Sequence, residues 1–426
     1  MAQSLESLLG RDRWNAALCW GLLGVVFLVV GFDLWRGGYV VAVLGIAVAA
    51  AVLAPSIALR APRVMIPWEV VFVATAALVA RVVFPWQPVE FLGAYLVIAA
   101  IALVIAVEIH VYTRVEMNRP FTTVFVAMVT MTAATAWTLG RWTLDLTAGT
   151  TFIPSNDALM WELIAATTAG VGAGILFDRY FRRYSPEDIR PSGYDSPDEH
   201  TPGDGESPAL REHREPTLSE RLGLSEHRQR QFIRILQAGL VAVAIVGVVQ
   251  LDIAIVLTAS AALSVTFVPA TLTREYDVPM DVGLTLWITT AVFLHSLGTM
   301  YFYGDFLWWH NLTHAVSGSL VAGIGYALFR AVDEYTAAVR FPSRFMFVLI
   351  LLFVVSVGVA WEILEFATDR VALALGYEDE VLAQHGLADT MTDMVFNVVG
   401  ALVVATWGTA YLTGVAAGIR EQLHGE

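Results

Sequence analysis

Two groups of polar residues within a long apolar region decide the fold class of this chain. Residues 361–400 read WEILEFATDRVALALGYEDEVLAQHGLADTMTDMVFNVVG. One apolar run long enough to cross a bilayer leads into this stretch, and a second leads out of it. A charged side chain near the middle of a membrane helix costs roughly 2.5 to 3.5 kcal/mol. Several carboxylates on adjacent membrane helices therefore need water, each other or a cation, and they indicate a site.

The composition is typical of the same class of protein. Apolar residues make up 57% of the chain and charged residues 15%, and the mean hydropathy is +0.64; these values indicate a polytopic membrane protein. Cys19 is the single cysteine, so no intramolecular disulfide can form. Lysine is absent and the formal net charge is -14. This acidic, arginine-only pattern suggests a halophilic or GC-rich prokaryotic source.

Apolar windows predict an all-α fold with about twelve transmembrane helices, since about 20 apolar residues cross the hydrocarbon core. The predicted spans are residues 14–35, 39–59, 67–84, 92–112, 121–141, 157–177, 231–250, 252–272, 282–303, 308–331, 344–369 and 389–415. They fall into two tandem six-helix units, residues 1–178 and residues 231–418.

The region between the units has a different composition. Residues 179–230 are acidic and rich in proline, glycine and serine. Such a segment cannot bury enough apolar surface to order itself, so it is predicted to be a disordered linker. Residues 419–426 are predicted to form a tail.

Arginines predict the orientation of the spans. They cluster at alternate loops, beginning with Arg11 and Arg13, whereas the opposite loops hold few, chiefly Arg36, Arg141 and Arg370. Because cytoplasmic loops carry an excess of basic residues, both termini and the linker are expected on the cytoplasmic side of the plasma membrane. The polar groups of residues 361–400 then lie at the outer face.

The two units resemble one another, which predicts an internal repeat. Trp137 stands eight residues before Asp145, just as Trp361 stands eight residues before Asp369. Two six-span copies share one orientation and are related by a pseudo-twofold axis along the membrane normal. Chance similarity among apolar helices is the alternative.

This alignment sets polar residues of the second unit against mostly apolar ones of the first. His310 and His314 align with Tyr95 and Ala99, Glu362 and Glu365 with Thr138 and Arg141, and Asp393 and Asn397 with Trp161 and Ala165. The polar set is therefore expected in the second unit alone. A structural role shared by both units would not explain this difference, so the set is interpreted as a functional site. Glu162, near the outer start of the sixth span, is interpreted as a boundary charge that reaches the interface.

Helical spacing places the polar residues of the second unit on three helix faces, because residues three or four apart share a face. The faces hold His310, His314 and Gly318; Glu362, Glu365 and Asp369; and Asp389, Asp393, Asn397 and Gly400. At 1.5 Å per residue, Glu362 lies roughly 10 Å, Asp393 about 6 Å and His314 roughly 13 Å inside the outer ends of their spans. These depths predict one outward-opening pocket, with further lining from His295, Asp305, Asp369, Asp389 and Asn397.

Imidazole and carboxylate groups together suit a divalent metal such as Zn, Fe or Mn. The predicted ligands are His310, His314, Glu362, Glu365 and Asp393. The three acidic members are also the candidate catalytic residues, since one Glu would act as a general base on metal-bound water. Two alternatives stay open: a wet polar pocket for an organic ligand, and a buried hydrogen-bonded network that fixes helix packing.

At these residues the C-terminal half resembles the YjdF-like family of prokaryotic inner-membrane proteins. The matching pieces are His314 with Gly318, Trp361 and Glu362 with Glu365, and Leu382 through Gly386 to Asp389, Thr390, Asp393 and Met394. The last piece, with Asn397 and Gly400, also resembles the VanZ-like family linked to glycopeptide resistance. The resemblance covers about residues 282–410 and implies an outer-face membrane site without an established reaction.

The chain departs from both families at one position each. YjdF-like proteins tend to carry an Asp four residues before the His that matches His314, where this chain has His310. VanZ-like proteins tend to have Gln where this chain has Glu365. Either change alters which ion or ligand the site would hold.

The leading hypothesis is binding or metal-dependent processing of a lipid or envelope headgroup at the outer leaflet, with membrane lipids as partners. A secondary transporter of 6+6 architecture is the first alternative, because two six-span units joined by a cytoplasmic linker suit alternating access. A non-catalytic membrane assembly protein is the second. The sequence has no Walker-type loop, nucleophile elbow or nucleic-acid module, so no nucleic-acid partner is expected.

Overall fold

The computed structural model describes residues 2–84, 87–112, 115, 119–181, 225–275, 280, 282–302, 307–335, 341–376, 384 and 386–407. These residues form helices and short connections, and no β-strand occurs among them. The predicted all-α, polytopic class is thereby confirmed. Asp305, residues 182–224 of the predicted linker and the predicted tail at residues 419–426 lie outside the described residues.

Six helices of the first unit lie among the described residues. They are α1 (Ala2–Trp35), α2 (Val40–Ala58), α3 (Trp68–Val83), α4 (Gln87–Tyr112), α5 (Arg119–Ala148) and α6 (Asn156–Phe181). Side chains hold the connections between the first three. Asp33 Oδ2 accepts a hydrogen bond from the Ala42 amide at 3.1 Å, near the start of α2. Asn15 on α1 donates to the Ile66 carbonyl and accepts from the Trp68 amide, which fixes where α3 begins.

The second unit contains seven helices among the described residues. They are α7 (Glu226–Gln250), α8 (Ile253–Val265), α9 (Val268–Glu275), α10 (Val282–Leu297), α11 (Leu307–Tyr335), α12 (Ser343–Ala374) and α13 (Leu387–Trp407). α7 begins inside the predicted linker, five residues before the predicted span at 231. Asp252 starts α8 by accepting a hydrogen bond from the Ile255 amide at 3.0 Å, and a π-helical segment, Gly298–Phe302, follows α10.

Wherever a predicted span lies among the described residues it coincides with helix, but the third one is short. Eleven helical stretches among the described residues are long and apolar enough to cross a membrane, and α8 and α9 together form one of them, Ile253–Glu275. α3 has 16 residues and is therefore about 24 Å long, less than the roughly 30 Å of a hydrocarbon core. The predicted third span thus forms a helix that is shorter than the hydrocarbon core is thick.

The chain divides into two compact units, one containing α1–α6 and the other α7–α13. Within the second unit, α7 packs on α8 and α10, and α11 packs on α10, α12 and α13. The polar residues singled out in the sequence belong to α10–α13. The candidate site is therefore built within one unit.

Candidate functional site

The site is organised around a close crossing of α11 and α13. A Cβ atom added to Gly318 would lie 2.6 Å from the Asn397 carbonyl oxygen. One added to Gly400 would clash with the Ala315 carbonyl oxygen and lie 2.7 Å from the Ser319 nitrogen. Small residues let membrane helices approach closely. The two glycines therefore bring the polar faces of α11 and α13 into contact.

Two histidines and two aspartates meet at this crossing, and we call His310, His314, Asp389 and Asp393 the His–Asp cluster. His310 Nδ1 lies 2.7 Å from Asp389 Oδ1 and 3.5 Å from Asp393 Oδ1. His314 Nε2 lies 3.4 Å from the same Asp393 oxygen. The imidazole rings are perpendicular, with their centroids 4.7 Å apart. One carboxylate oxygen is thus shared by two imidazoles.

The His–Asp cluster is partly buried, and Asp393 is its most buried member. Asp393 is 3% exposed, and its Oδ1 atom accepts no hydrogen bond. Asn397, one turn further along α13, forms a side-chain hydrogen bond with His314 and is also buried. Buried acceptors usually have donors, so the unbonded Asp393 oxygen marks a place where a further group would fit.

The structure brings together three of the five predicted metal ligands. One ligand atom each from His310, His314 and Asp393 can be chosen so that all three lie within 4.8 Å of one another. Glu362 and Glu365 do not belong to this group. The two glutamates on α12 have other surroundings, described next, and the five-ligand centre stays a prediction.

Glu362 is directed toward the connection between α12 and α13. Glu362 is 1% exposed. Gln384 Nε2 donates hydrogen bonds to the backbone carbonyl oxygen and to the Oε2 atom of Glu362, both at 3.2 Å. Thr390 forms a side-chain hydrogen bond with the same carboxylate, whereas Oε1 has no partner. Gln384 was not predicted as a site residue, since a lone amide in a loop has no periodic or charge pattern that would single it out.

Asp369 holds the same connection from the end of α12. It is 7% exposed, and its Oδ2 atom accepts a hydrogen bond from the Gln384 amide at 3.1 Å. The residue was predicted to line a ligand pocket. Instead it lies outside the cavity described next and fixes the loop that leads to α13.

A cavity of about 500 Å³ lies beside the His–Asp cluster, between α8, α10, α11 and α12. One end is apolar, with residues such as Ala262, Ala291, Val321 and Val354 in the wall. Polar residues line the other end, namely His295, Thr313, His314, Glu365, Thr368 and Asn397. α11 runs antiparallel to α10 and α12. On α11 the polar residue, His314, precedes the apolar Val321, whereas on α10 and α12 the polar residues, His295 and Glu365, follow the apolar ones. The polar residues of all three helices therefore lie at the same end.

Trp361 and Glu365 contact each other at the polar end of the cavity. Trp361 Nε1 donates a hydrogen bond to Glu365 Oε1 at 2.8 Å. The ring of His295 meets the ring of Trp361 edge-on, with centroids 6.4 Å apart. The sequence analysis predicted His295 as a lining residue of the pocket and Glu365 as a metal ligand. In the structure they line the cavity, and His314 is the side chain that belongs to both features.

The first unit also has a buried polar group, which sequence reasoning missed. Glu162 is 8% exposed; it accepts a hydrogen bond from the Tyr95 hydroxyl at 2.5 Å and forms an ion pair with Arg141. Arg141 Nη1 also donates to Glu162 Oε1 at 3.2 Å. The interpretation of Glu162 as a boundary charge is wrong, and so is the expectation that a buried polar set exists in the second unit alone.

Comparison with known proteins gives a family for the C-terminal region. Residues 232–414 match a family described as Predicted membrane protein (DUF2238), and residues 3–65 match a domain of unknown function, DUF8268. An uncharacterized protein of Thermotoga maritima is 31% identical over 124 residues, which cover 28% of this chain and 58% of that protein. No solved structure matches the chain. The C-terminal region is thus similar to the DUF2238 family of predicted membrane proteins, which is the YjdF-like family indicated by its motifs.

Proposed function

We propose that the second unit binds a membrane amphiphile, with the apolar chain along the deep wall of the cavity and the headgroup at its polar end. The observation that carries this proposal is the separation of polar and apolar residues within one cavity. A volume of about 500 Å³ lies within the range of roughly 300–1,000 Å³ found for small-molecule sites. A two-ended cavity of this kind matches a two-ended ligand.

One side of the cavity offers a route from the bilayer. α8 packs mainly on α7 and α10, whereas α12 packs mainly on α11 and α13, so α8 and α12 face each other across the cavity. Val265 on α8 is 39% exposed and Leu364 on α12 is 56% exposed, although both line the cavity. Exposed apolar side chains on membrane spans contact lipid. A ligand chain longer than the cavity would therefore extend through this side into the bilayer.

The polar end favours a headgroup that donates hydrogen bonds. Glu365 uses Oε1 to accept from Trp361, and its other carboxylate oxygen is an acceptor. Carboxylates repel a bare phosphate and attract an ammonium group, and an indole face adds cation–π attraction to the ammonium. An amine-bearing headgroup therefore suits the pair formed by Trp361 and Glu365.

Two further arguments concern sidedness and the alternative functions. The distribution of arginines supports an outer-leaflet position for the polar end, because the ends of α12 and α13 that carry these residues face loops poor in basic residues. A pure assembly protein would be expected to satisfy its buried polar atoms internally. The cavity and the unbonded oxygens of Glu362 and Asp393 argue for a binding function instead.

Photo-crosslinking in lipid nanodiscs tests the proposal. The full chain is reconstituted in phosphatidylcholine with a small fraction of a photoreactive phosphatidylethanolamine, and labelled peptides are mapped by mass spectrometry. We expect labelling on α11 and α12 at cavity residues. Val357→Trp fills the cavity and should reduce this labelling, whereas Val348→Trp, at an exposed position on the same helix, should not.

The same experiment identifies the headgroup preference. Replacing the probe with a photoreactive phosphatidylglycerol removes the amine, and we expect weaker labelling that is insensitive to Glu365→Gln. Equal labelling of Val357→Trp and the unchanged protein would overturn the proposed cavity site. Equal labelling by both probes would overturn the preference for an amine.

A further inference from the structure

The His–Asp cluster has an unusual arrangement for a set of protein–protein hydrogen bonds. Two imidazole nitrogens, His310 Nδ1 and His314 Nε2, approach the same Asp393 oxygen at 3.5 and 3.4 Å. That oxygen is fully shielded and accepts no hydrogen bond. A buried acceptor without a donor is unfavourable, because it has lost its hydrogen bonds to water without gaining others. A packing network alone would be expected to supply a donor at this position.

A metal ion would satisfy all three groups at once. Ions such as Zn²⁺ bind imidazole nitrogen and carboxylate oxygen at about 2.0–2.2 Å, so ligands on one ion are separated by about 3–4 Å. The three ligand atoms lie within 4.8 Å of one another, so small side-chain movements would bring them to this spacing. We infer that His310, His314 and Asp393 form a binding site for a divalent transition-metal ion, with Zn²⁺, Fe²⁺ and Mn²⁺ as the chemical candidates.

The surroundings of the three ligands fit this assignment. Asp389 Oδ1 lies 2.7 Å from His310 Nδ1, so a hydrogen bond donated by Nδ1 to Asp389 leaves Nε2 as the nitrogen of His310 that would coordinate the ion. A carboxylate on the other ring nitrogen commonly fixes a metal-binding histidine. Asn397 holds His314 in the same way. Two imidazoles and one carboxylate leave coordination positions for water or a ligand atom. The ligands are thus held in place by neighbours that are not ligands themselves.

The first unit offers an internal comparison. There the buried carboxylate of Glu162 is paired with a cation of the protein, the Arg141 guanidinium. The carboxylate of Asp393 faces two imidazoles, whose nitrogens can coordinate an ion as neutral ligands. A bound metal would supply the positive charge that Arg141 supplies in the first unit.

The site adjoins the cavity through His314, which lines the cavity wall. An ion held by His314 would therefore lie at the polar end, within reach of an oxygen of a bound headgroup. The metal site does not depend on the proposed amphiphile binding, since all of its ligands come from α11 and α13. Each can be tested without the other.

Metal titration of the full chain in detergent tests the inference. The protein is stripped with a chelator, exchanged into chelator-free buffer and titrated separately with Zn²⁺ and Mn²⁺ against a chelating dye, with elemental analysis of the bound ion. We expect one ion per chain and a higher thermal unfolding midpoint with metal, because a ligand that binds only the native state stabilises it. Asp393→Asn, which is nearly isosteric, and His314→Ala should each weaken binding more than 100-fold.

His227→Ala is the matched control, because His227 is exposed near the start of α7. It should retain the affinity and the metal-dependent shift of the midpoint. The inference is overturned if the unchanged protein binds no ion, or if Asp393→Asn and His314→Ala bind as the control does. Should His314→Ala fail to fold, Asp393→Asn and His310→Asn decide the matter. Labelling by the lipid probe in metal-free buffer is measured in parallel, so failure of the cavity proposal is seen separately.

Discussion

His310 Nδ1 lies 2.7 Å from Asp389 Oδ1, while Asp389 stands outside the group of three candidate metal ligands. Asp389 is one turn before Asp393 on α13, so one helix face presents both a candidate ligand and the group that orients another. A carboxylate that accepts the N–H of one ring nitrogen fixes the orientation of a histidine that coordinates through its other nitrogen, and raises its basicity. The two aspartates therefore have different expected roles despite their similar surroundings.

Replacing Asp389 by Asn should weaken metal binding without abolishing it. Loss of an outer-shell partner typically lowers metal affinity by about 10–100-fold, less than the loss expected for Asp393→Asn. Competition with a chelating dye measures both constants. Asp333→Asn, on α11 beside Arg330, serves as the control. Unchanged affinity in Asp389→Asn would remove Asp389 from the site.

Substitution of Gly318 by Ala should destabilise the second unit. The added Cβ would lie 2.6 Å from the Asn397 carbonyl oxygen, and overpacking of this kind costs about 1–3 kcal/mol. Thermal unfolding in detergent measures the effect. Gly172→Ala on α6 is the control, because no atom lies within 4 Å of its added Cβ. Equal midpoints for the two variants would contradict the close crossing of α11 and α13.

Gln384→Ala should also lower stability. The amide side chain donates to the Glu362 carbonyl and Oε2 atoms, and unsatisfied buried acceptors cost about 1–3 kcal/mol. The backbone bond from the Gln384 amide to Asp369 is retained in this variant. Gln231→Ala removes an exposed amide of α7 and should leave the unfolding midpoint within error. An unfolding midpoint of Gln384→Ala equal to that of the control would argue against a stabilising role for the Gln384 side chain.

Replacing one partner of the buried ion pair in the first unit should lower the stability more than replacing both partners. Loss of one partner from a buried pair costs about 3–5 kcal/mol, because a charge is left uncompensated. Arg141→Met is therefore expected to be less stable than the double variant Arg141→Met with Glu162→Gln. A double-mutant cycle on thermal unfolding measures the coupling. Additive effects in that cycle would show that Arg141 and Glu162 act independently, and metal binding by the second unit should not change in any of these variants.

Hydropathy predicted the positions of the helices because each span must satisfy its backbone within itself. Their exact lengths depend on neighbours that hydropathy does not include. α3 begins where Asn15 holds the Trp68 amide, and it ends at Val83 after 16 residues. A side chain 53 residues earlier in the chain thus determines a helix boundary.

Helical spacing and span depth placed His310, His314, Asp389 and Asp393 in one predicted pocket, and the structure brings these four together. Spacing and depth did not predict the roles of the two glutamates on α12. Residues three apart differ by about 60° around a helix, since each residue turns by about 100°. That difference turns Glu362 toward Gln384 and leaves Glu365 beside Trp361 at the cavity. Spacing on one helix cannot state which neighbouring element each face meets.

The internal repeat stays a prediction, and two local features support it. Asp145 at the end of α5 accepts hydrogen bonds from the Phe152 and Ile153 amides in the loop before α6. Asp369 near the end of α12 accepts one from the Gln384 amide in the loop before α13. The aligned aspartates therefore anchor corresponding loops. Both units also bury a carboxylate near the start of the following helix, at Glu162 and Asp393.

The exposed side of the cavity between α8 and α12 changes how occupancy would have to be measured. A ligand that enters there diffuses in two dimensions within the membrane, so its effective concentration is its mole fraction among the lipids. Diluting the vesicles in buffer would not release it, whereas adding vesicles of another lipid would. For the proposed site beside Leu364 and Val265, the lipid composition of the membrane rather than the volume of the sample would determine the occupancy.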